Sequence, residues 1–558
     1  MISTRLRNAG AVGLVIVLCM TGIAFVQDKM AEVRETHHLA ETGAFEGNDV
    51  SPVVAFTTLA LGGFRGLLAD ILFLRSQSMH ESGNYFELVQ LADWLVKLQP
   101  RFTGATAYLA WNMAYNVSVT YNAPEDRWRW VQRGIELIRD EALKHSDNDP
   151  VLFHELGWIY QHKVGHILDD ANWYYKRQLA MQIIHITGET GRIDWQALAD
   201  APDNPEELYA SLNAKQTAAL AEILGKRQLT LRQLEDEFRQ MGSFPDVDME
   251  DELVAANLFE PMNLYLRSRW LNLGFRLDPE FIAPLIDEYG YLDFRLPEAH
   301  AIYWAKRGLA ASEGGINVKC DRMVNQSMMN AFKYGTIIYL PEEGAAFIGP
   351  NLEIVDAVRD QYLYTMATHE DNNSFRSGWE NFMKDAVVML YAGGRVAKAN
   401  EYLKKLRQDF PQKPAYRVDI HTFAKKEFRQ DVADKSLKQT EGLVAQSIFQ
   451  SYLHASTGDM EAAAYQMIIA KYIHQTYNAE KTSDRQMLRT GLPPVEVMQA
   501  GILNSLLNPE VSPLSNNARR SLLVALQLPP DTTQVQPVNL NLNVLDRSNT
   551  ADLEIQNN

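Results

Sequence analysis

The sequence predicts an all-α protein assembled from helical hairpins, preceded by one apolar helix at the amino terminus. Three observations carry this. Apolar residues recur at helical spacing along most of the 558 residues. No run of alternating β-branched residues bounded by hairpin turns interrupts them. A unit that opens on a turn glycine and runs into an amphipathic helix returns at fixed spacing.

Composition bounds the function. With 46% apolar and 22% charged residues the chain is globular. Its net charge of −17 argues against nonspecific binding to nucleic acid, which needs basic patches. The two cysteines, Cys19 and Cys320, exclude a disulfide framework and cysteine-ligated metal clusters.

Residues 9–27 contain no charge. As a helix they span roughly 28 Å, about one hydrocarbon core. Arg5 and Arg7 precede them, and residues 28–50 carry six acids and two bases. Basic flanks stay cytoplasmic, so the sequence predicts a single-pass anchor with the body on the exported, periplasmic or extracellular side. A cleaved signal peptide is the alternative, although Phe25 and Val26 extend the apolar run past Gly22-Ile23-Ala24. A second apolar stretch, 53–74, holds only Arg65 and Asp70. It is expected to be the buried first helix of the body, broken near Gly62, Gly63 and Gly66; a membrane-surface segment is the other reading.

The repeat is found by spacing. Gly83-Asn84-Tyr85 leads a helical pattern that reaches Pro100, and Gly394-Arg395-Val396 leads one that reaches Pro411; both distances are 17 residues. Gly458-Asp459-Met460 opens a third such helix. Phe153-x2-Leu156-Gly157-x2-Tyr160 adds the other half of a hairpin pattern. Here the chain resembles the tetratricopeptide repeat, a helix–turn–helix unit of 34 residues. In that register the units are 69–102, 150–183, 380–413 and 444–477, with an elongated unit between the first two. The resemblance implies a TPR-like α-solenoid. It sets small residues (Gly157, Ala399, Ala463) where helices approach and large ones (Tyr160, Tyr402, Met467) where gaps are filled. It also implies that the first helix of each hairpin lines a concave groove. That assigns Gln77, His80, Trp111, Tyr115, His154, Trp158, Gln161 and His162 to a surface suited to anchoring a protein or peptide.

Other segments follow their own signals. Asn204-Pro205-Glu206-Glu207 reads as a helix start, and 215–241 carries one helical periodicity. The acidic cluster 246–251 resembles the opening of a calcium loop but lacks its turn glycine and terminal acid, so a solvated helix start is expected. Pro297-Glu298 opens another helix, and a Met-rich helix is expected over 323–339. The expected order is a cytoplasmic start (1–8), membrane helix (9–27), acidic linker (28–50), first hairpins (51–185), helical insertion (186–296), non-consensus hairpins (297–375), carboxyl-terminal hairpins (376–480), helical cap (481–528) and disordered tail (529–558).

No nucleotide loop, nucleophile elbow or Cys-x-x-Cys occurs. His162-x3-His166 followed by Asp169 and Asp170 is a weak metal candidate; no cofactor is expected. The reading is a membrane-anchored scaffold of a bacterial cell envelope that grips a partner and does no chemistry. Two alternatives stay open: an envelope enzyme acting on glycan or peptide with its centre in 187–296, and a metal-binding protein built on His154–Asp170.

Overall fold

The computed structural model describes Lys29 and residues 64–537, apart from the short segments 82–84, 100–101, 167, 189–190, 341–344, 425, 428–436, 480–490, 510–511 and 513. The candidate anchor 9–27 lies outside the described residues; within them no helix is long and apolar enough to cross a membrane.

The described body is helical, as its periodicity predicts. Helices α1 (Phe64–Glu81) and α2 (Tyr85–Leu98) pair. α3 (Thr103–Asn112) runs into a wide π turn, Met113–Val117. α4 (Pro124–Glu136) ends in a second, Leu137–Ala142, and α5 (Pro150–Trp158) in a third, Ile159–Val164. α6 (Asn172–Thr187) follows. The next stretch holds α7 (Trp195–Ala199), α8 (Pro205–Ser211), α9 (Ala214–Lys226), α10 (Leu231–Met241), α11 (Val247–Ala255), α12 (Phe259–Trp270) and α13 (Pro279–Tyr289). Asn204 caps α8 through a 2.9 Å bond from the Glu207 amide, and Asp246 caps α11 while its carboxylate pairs with Arg227, 2.8 Å away. The acidic cluster is therefore a helix start, as expected. The single periodicity of 215–241 is cut into α9 and α10, because Gln228 takes a positive φ and Thr230 forms a capping box with Gln233.

α14 (Pro297–Ala310) is buried without a break from Pro297 to Ala305, its polar Glu298 and His300 and the ring of Trp304 included, and reaches the surface at Ala310. Just before it, Arg295 and Asp293 form a two-point pair at 2.6 and 2.9 Å, and both side chains are almost fully buried. α15 (Val318–Tyr334) is followed by the strands β1 (Thr336–Leu340) and β2 (Ala345–Gly349), antiparallel with Thr336 opposite Gly349 and Leu340 opposite Ala345. This corrects the helix expected over 323–339. The β-branched run Thr336-Ile337-Ile338 favours an extended chain, and the segment docks on a later helix, so local helical spacing is overridden. α16 (Val355–Thr368), the pair α17 (Asn373–Ala392) and α18 (Val396–Asp409), the pair α19 (Leu437–Ser456) and α20 (Met460–Ala479), α21 (Val495–Leu507) and α22 (Asn516–Ala525) complete the body. The turn glycines Gly394 and Gly458 take φ of 76° and 85°, which a side chain would strain.

Two expectations about packing need correction. α1 is only partly buried. Ala69 and Ser76 face the body, whereas Leu67, Ile71 and Leu74, one helical stripe, are 56%, 52% and 67% exposed. And α5 does not pack chiefly on α6, the next helix, as a simple hairpin would. It lies along α14. Gly157 makes this possible: a Cβ there would sit 2.6 Å from Met323 Sδ and 3.4 Å from the Ala301 carbonyl oxygen. Phe153 then stacks on Trp304, ring centres 5.9 Å apart.

Candidate functional site

α3 and α5 lie side by side, and their exposed faces carry a continuous row of rings. Tyr108 stacks on Trp111 (6.1 Å between centres) and Trp111 on Tyr115 (5.5 Å). Tyr115 tilts against His162 (5.7 Å), which lies flat on Trp158 (4.7 Å) and stacks on His166 (5.5 Å). The spacing 108, 111, 115 puts three rings on one face of α3 and the π turn that continues it; 158 and 162 share a face at the end of α5 and its π turn, with His166 in the bend just beyond. Both Tyr115 and His162 sit within π turns. Such turns are rare and concentrate at functional sites, because an extra residue re-aims a side chain.

Polar atoms inside this row lack partners. The Tyr115 hydroxyl, Glu155 Oε1, His162 Nδ1 and both amide atoms of Asn112 are buried without a hydrogen bond. Burial pushes the Glu155 carboxyl up to about 7, against a lowering pull from Lys319. Burial also takes the His154 imidazole down to about 4, helped by Lys319. His162 and His166 are lowered as well, first by burial, then by nearby cationic or imidazole neighbours. Tyr115 is raised by burial and by Glu155. Near neutral pH the face therefore presents neutral imidazoles, a neutral phenol and a carboxyl close to half-ionised.

Of the groove residues expected from sequence, Trp111, Tyr115, Trp158 and His162 come together in this row, and His154 lies half-buried on the same helix. Gln161 does not belong to it. It is buried, and its amide donates to the Met323 carbonyl (3.1 Å) and Ser327 Oγ (2.8 Å), fastening α5 to α15. Gln77 and His80 lie on α1, but their side chains are outside the described residues. Tyr108, Asn112 and Glu155 were missed; the three-and-four spacing of 108, 111 and 115 was the available signal for the first.

The metal candidate is corrected. Asp169 is committed to ion pairs with Lys163 Nζ (2.6 Å) and Arg127 (3.1 Å), and accepts from the Tyr175 hydroxyl (3.2 Å). Asp170 pairs with Arg127. The carboxylates thus hold the end of α5 to α4 and α6 and do not face His162 and His166. Among the described residues no three His, Cys, Asp or Glu side chains gather as metal ligands would. In 187–296, Glu235 accepts from Tyr265, and Glu252 pairs with Arg227.

A separate feature is a cleft of about 800 Å³ between the base of the β1–β2 hairpin, the α17–α18 turn and the α19–α20 pair. No family model matches the chain, and no curated protein or solved structure matches it. Function therefore has to be argued from the site itself.

Proposed function

We propose that this protein is a membrane-anchored scaffold of the cell envelope that holds a protein or peptide partner on the ring-lined face of α3 and α5. Residues 9–27 would fix it in the bilayer with the body on the exported side. The observation that supports the grip is the row Tyr108–Trp111–Tyr115–His162–Trp158 with its unpartnered hydroxyl, carboxyl and imidazole atoms. Half-buried rings supply apolar area at little entropic cost. No reaction is needed.

The test is photocrosslinking in the native envelope with a photoreactive residue in place of His166, beside the row. A partner should be trapped there, and its capture should fall about tenfold or more when Trp158→Ala is added. Unchanged capture in that variant would sink the proposal. External protease on spheroplasts should digest the body; protection would overturn the orientation.

A further inference from the structure

α1 has two apolar faces, and among the described residues the body covers one of them. On the inner side Ala69 and Ser76 are buried, and the Phe73 ring meets those of Phe102 and Tyr108, each at 6.0 Å. On the outer side Leu67, Ile71 and Leu74 leave more than half of their surface open. A helix at a water-facing surface turns a polar face outwards. Here the exposed charges keep to the edges of the apolar stripe. Asp70 stands one turn before Leu74 on one edge, and Arg75 one turn after Ile71 on the other; Ser78 ends the stripe. The face continues onto α2. Arg75 Nε donates to Glu87 Oε1 (3.0 Å), which joins the outer sides of the two helices. Trp94, two turns on from Glu87 along the same side of α2, is 54% exposed.

The make-up of this face and its place in the chain say what covers it. A protein partner is gripped by aromatic and Arg anchors seated in pockets. A stripe of aliphatic side chains on a convex helix, edged by charges and with a Trp beside it, is instead what a helix lying in a membrane interface presents. α1 is also the first helix of the described body after the uncharged run 9–27, with 36 residues between them. A chain anchored through that run brings α1 to the bilayer before any later helix. Residues 53–74, which lead into and include most of the stripe, carry only two charges, Arg65 and Asp70. The net charge of −17 sets the lipid type: anionic headgroups repel such a chain, so the contact is an apolar one with electrically neutral lipid.

We infer that the outer face of the α1–α2 hairpin, formed by Leu67, Ile71, Leu74 and Trp94, rests in the surface of a neutral lipid bilayer, so that the body lies against the membrane. This rests on the anchored reading above, in which residues 9–27 bring the face to the lipid. Tyr108, the first ring of the row, touches Phe73 on the inner side of α1, so the row begins about one helix diameter, roughly 10 Å, from the lipid. The experiment uses the full chain in phosphatidylcholine vesicles, with Cys19→Ser so that the remaining native thiol is the wholly buried Cys320. A nitroxide is attached in turn at Leu67→Cys, Ile71→Cys, Leu74→Cys and, as a control, Val524→Cys, a site 77% exposed on α22. Collision with a water-soluble nickel chelate should fall about tenfold at the three stripe sites relative to the control, while collision with lipid-dissolved oxygen rises. Adding Ile71→Asp and Leu74→Asp should restore nickel contact at Leu67→Cys. Nickel contact equal to the control in chains that float with the vesicles overturns the inference and leaves the anchor standing. Chains that do not float overturn both. Shielding from nickel and oxygen alike places another protein on the face, and spin–spin broadening a second copy; either overturns the lipid contact.

Discussion

The hairpins at the two ends of the body close in different ways. In α17–α18 and α19–α20, helices that follow each other in sequence pack on each other, and the turn glycines Gly394 and Gly458 serve by their positive φ. In the earlier unit, α5 bypasses its neighbour and lies along α14, which begins 139 residues after Gly157-adjacent Trp158 ends it. Here the glycine serves by its missing side chain. The same residue type thus does two jobs, one in the turn between helices and one in the middle of a helix. A sequence pattern marks where a helix begins and which face is smooth, but leaves open which helix fills the smooth face.

That contrast can be tested in steps of falling size. Asp169 holds the end of α5 to its sequence neighbours, and Lys163 beside it is almost fully buried. Asp169→Ala leaves that cation unpaired and should cost about 3–5 kcal/mol in urea unfolding. A loss below the size of an exposed pair would show that α5 is held by α14 alone.

Gly157→Ala should cost about 1–3 kcal/mol by overpacking against Met323. The loss should shrink when Met323→Ala is combined with it, because the colliding atom is the end of a flexible side chain. Non-rescue would mean that backbone, not Met323, sets the approach.

Glu155→Gln addresses the ring-lined face. The folded protein holds this carboxyl up near 7, above its ordinary value of 4.5. The raised acid favours the protonated form on folding, so its presence leaves stability intact below about pH 4.5 and lowers it progressively as pH rises through 7. The glutamine variant should therefore melt higher than the parent at pH 8, by about 1–3 kcal/mol, and match it near pH 4. A difference of the same size at both pH values would overturn the assignment of burial as the cause. Gly458→Ala, at a site with open space but a φ of 85°, should cost only about 1 kcal/mol, with no second-site rescue.

Much of this was legible beforehand. Helix starts at Asn204, Asp246 and Pro297 could be read from cap residues, because capping is local chemistry. The pairing at Gly394 and Gly458 followed from spacing. Tyr160, Tyr402 and Met467, expected to fill gaps between helices, are buried. What was not legible depends on contacts between distant segments. Gln161 looked like a surface residue until α15 supplied its bonding partners. Asp169 looked like a ligand until Lys163 and Arg127 claimed it. The strand Thr336–Leu340 reads as the tail of a helix unless α19 is there to receive the hairpin. The cleft could not be found by motif, since its wall is assembled from segments far apart in the chain.

The wide turns that carry Tyr115 and His162 each hold one residue more than an unbroken α-helix would use. Excising a single amino acid from either would let the turn close to an ordinary α-helical one, with the helix on each side kept in place. One ring would swing out of line while every other side chain kept its identity. The ring-lined face is in that sense a matter of counting: a chain one letter shorter at either place would still be a helical protein of the same make-up, with its row of rings interrupted.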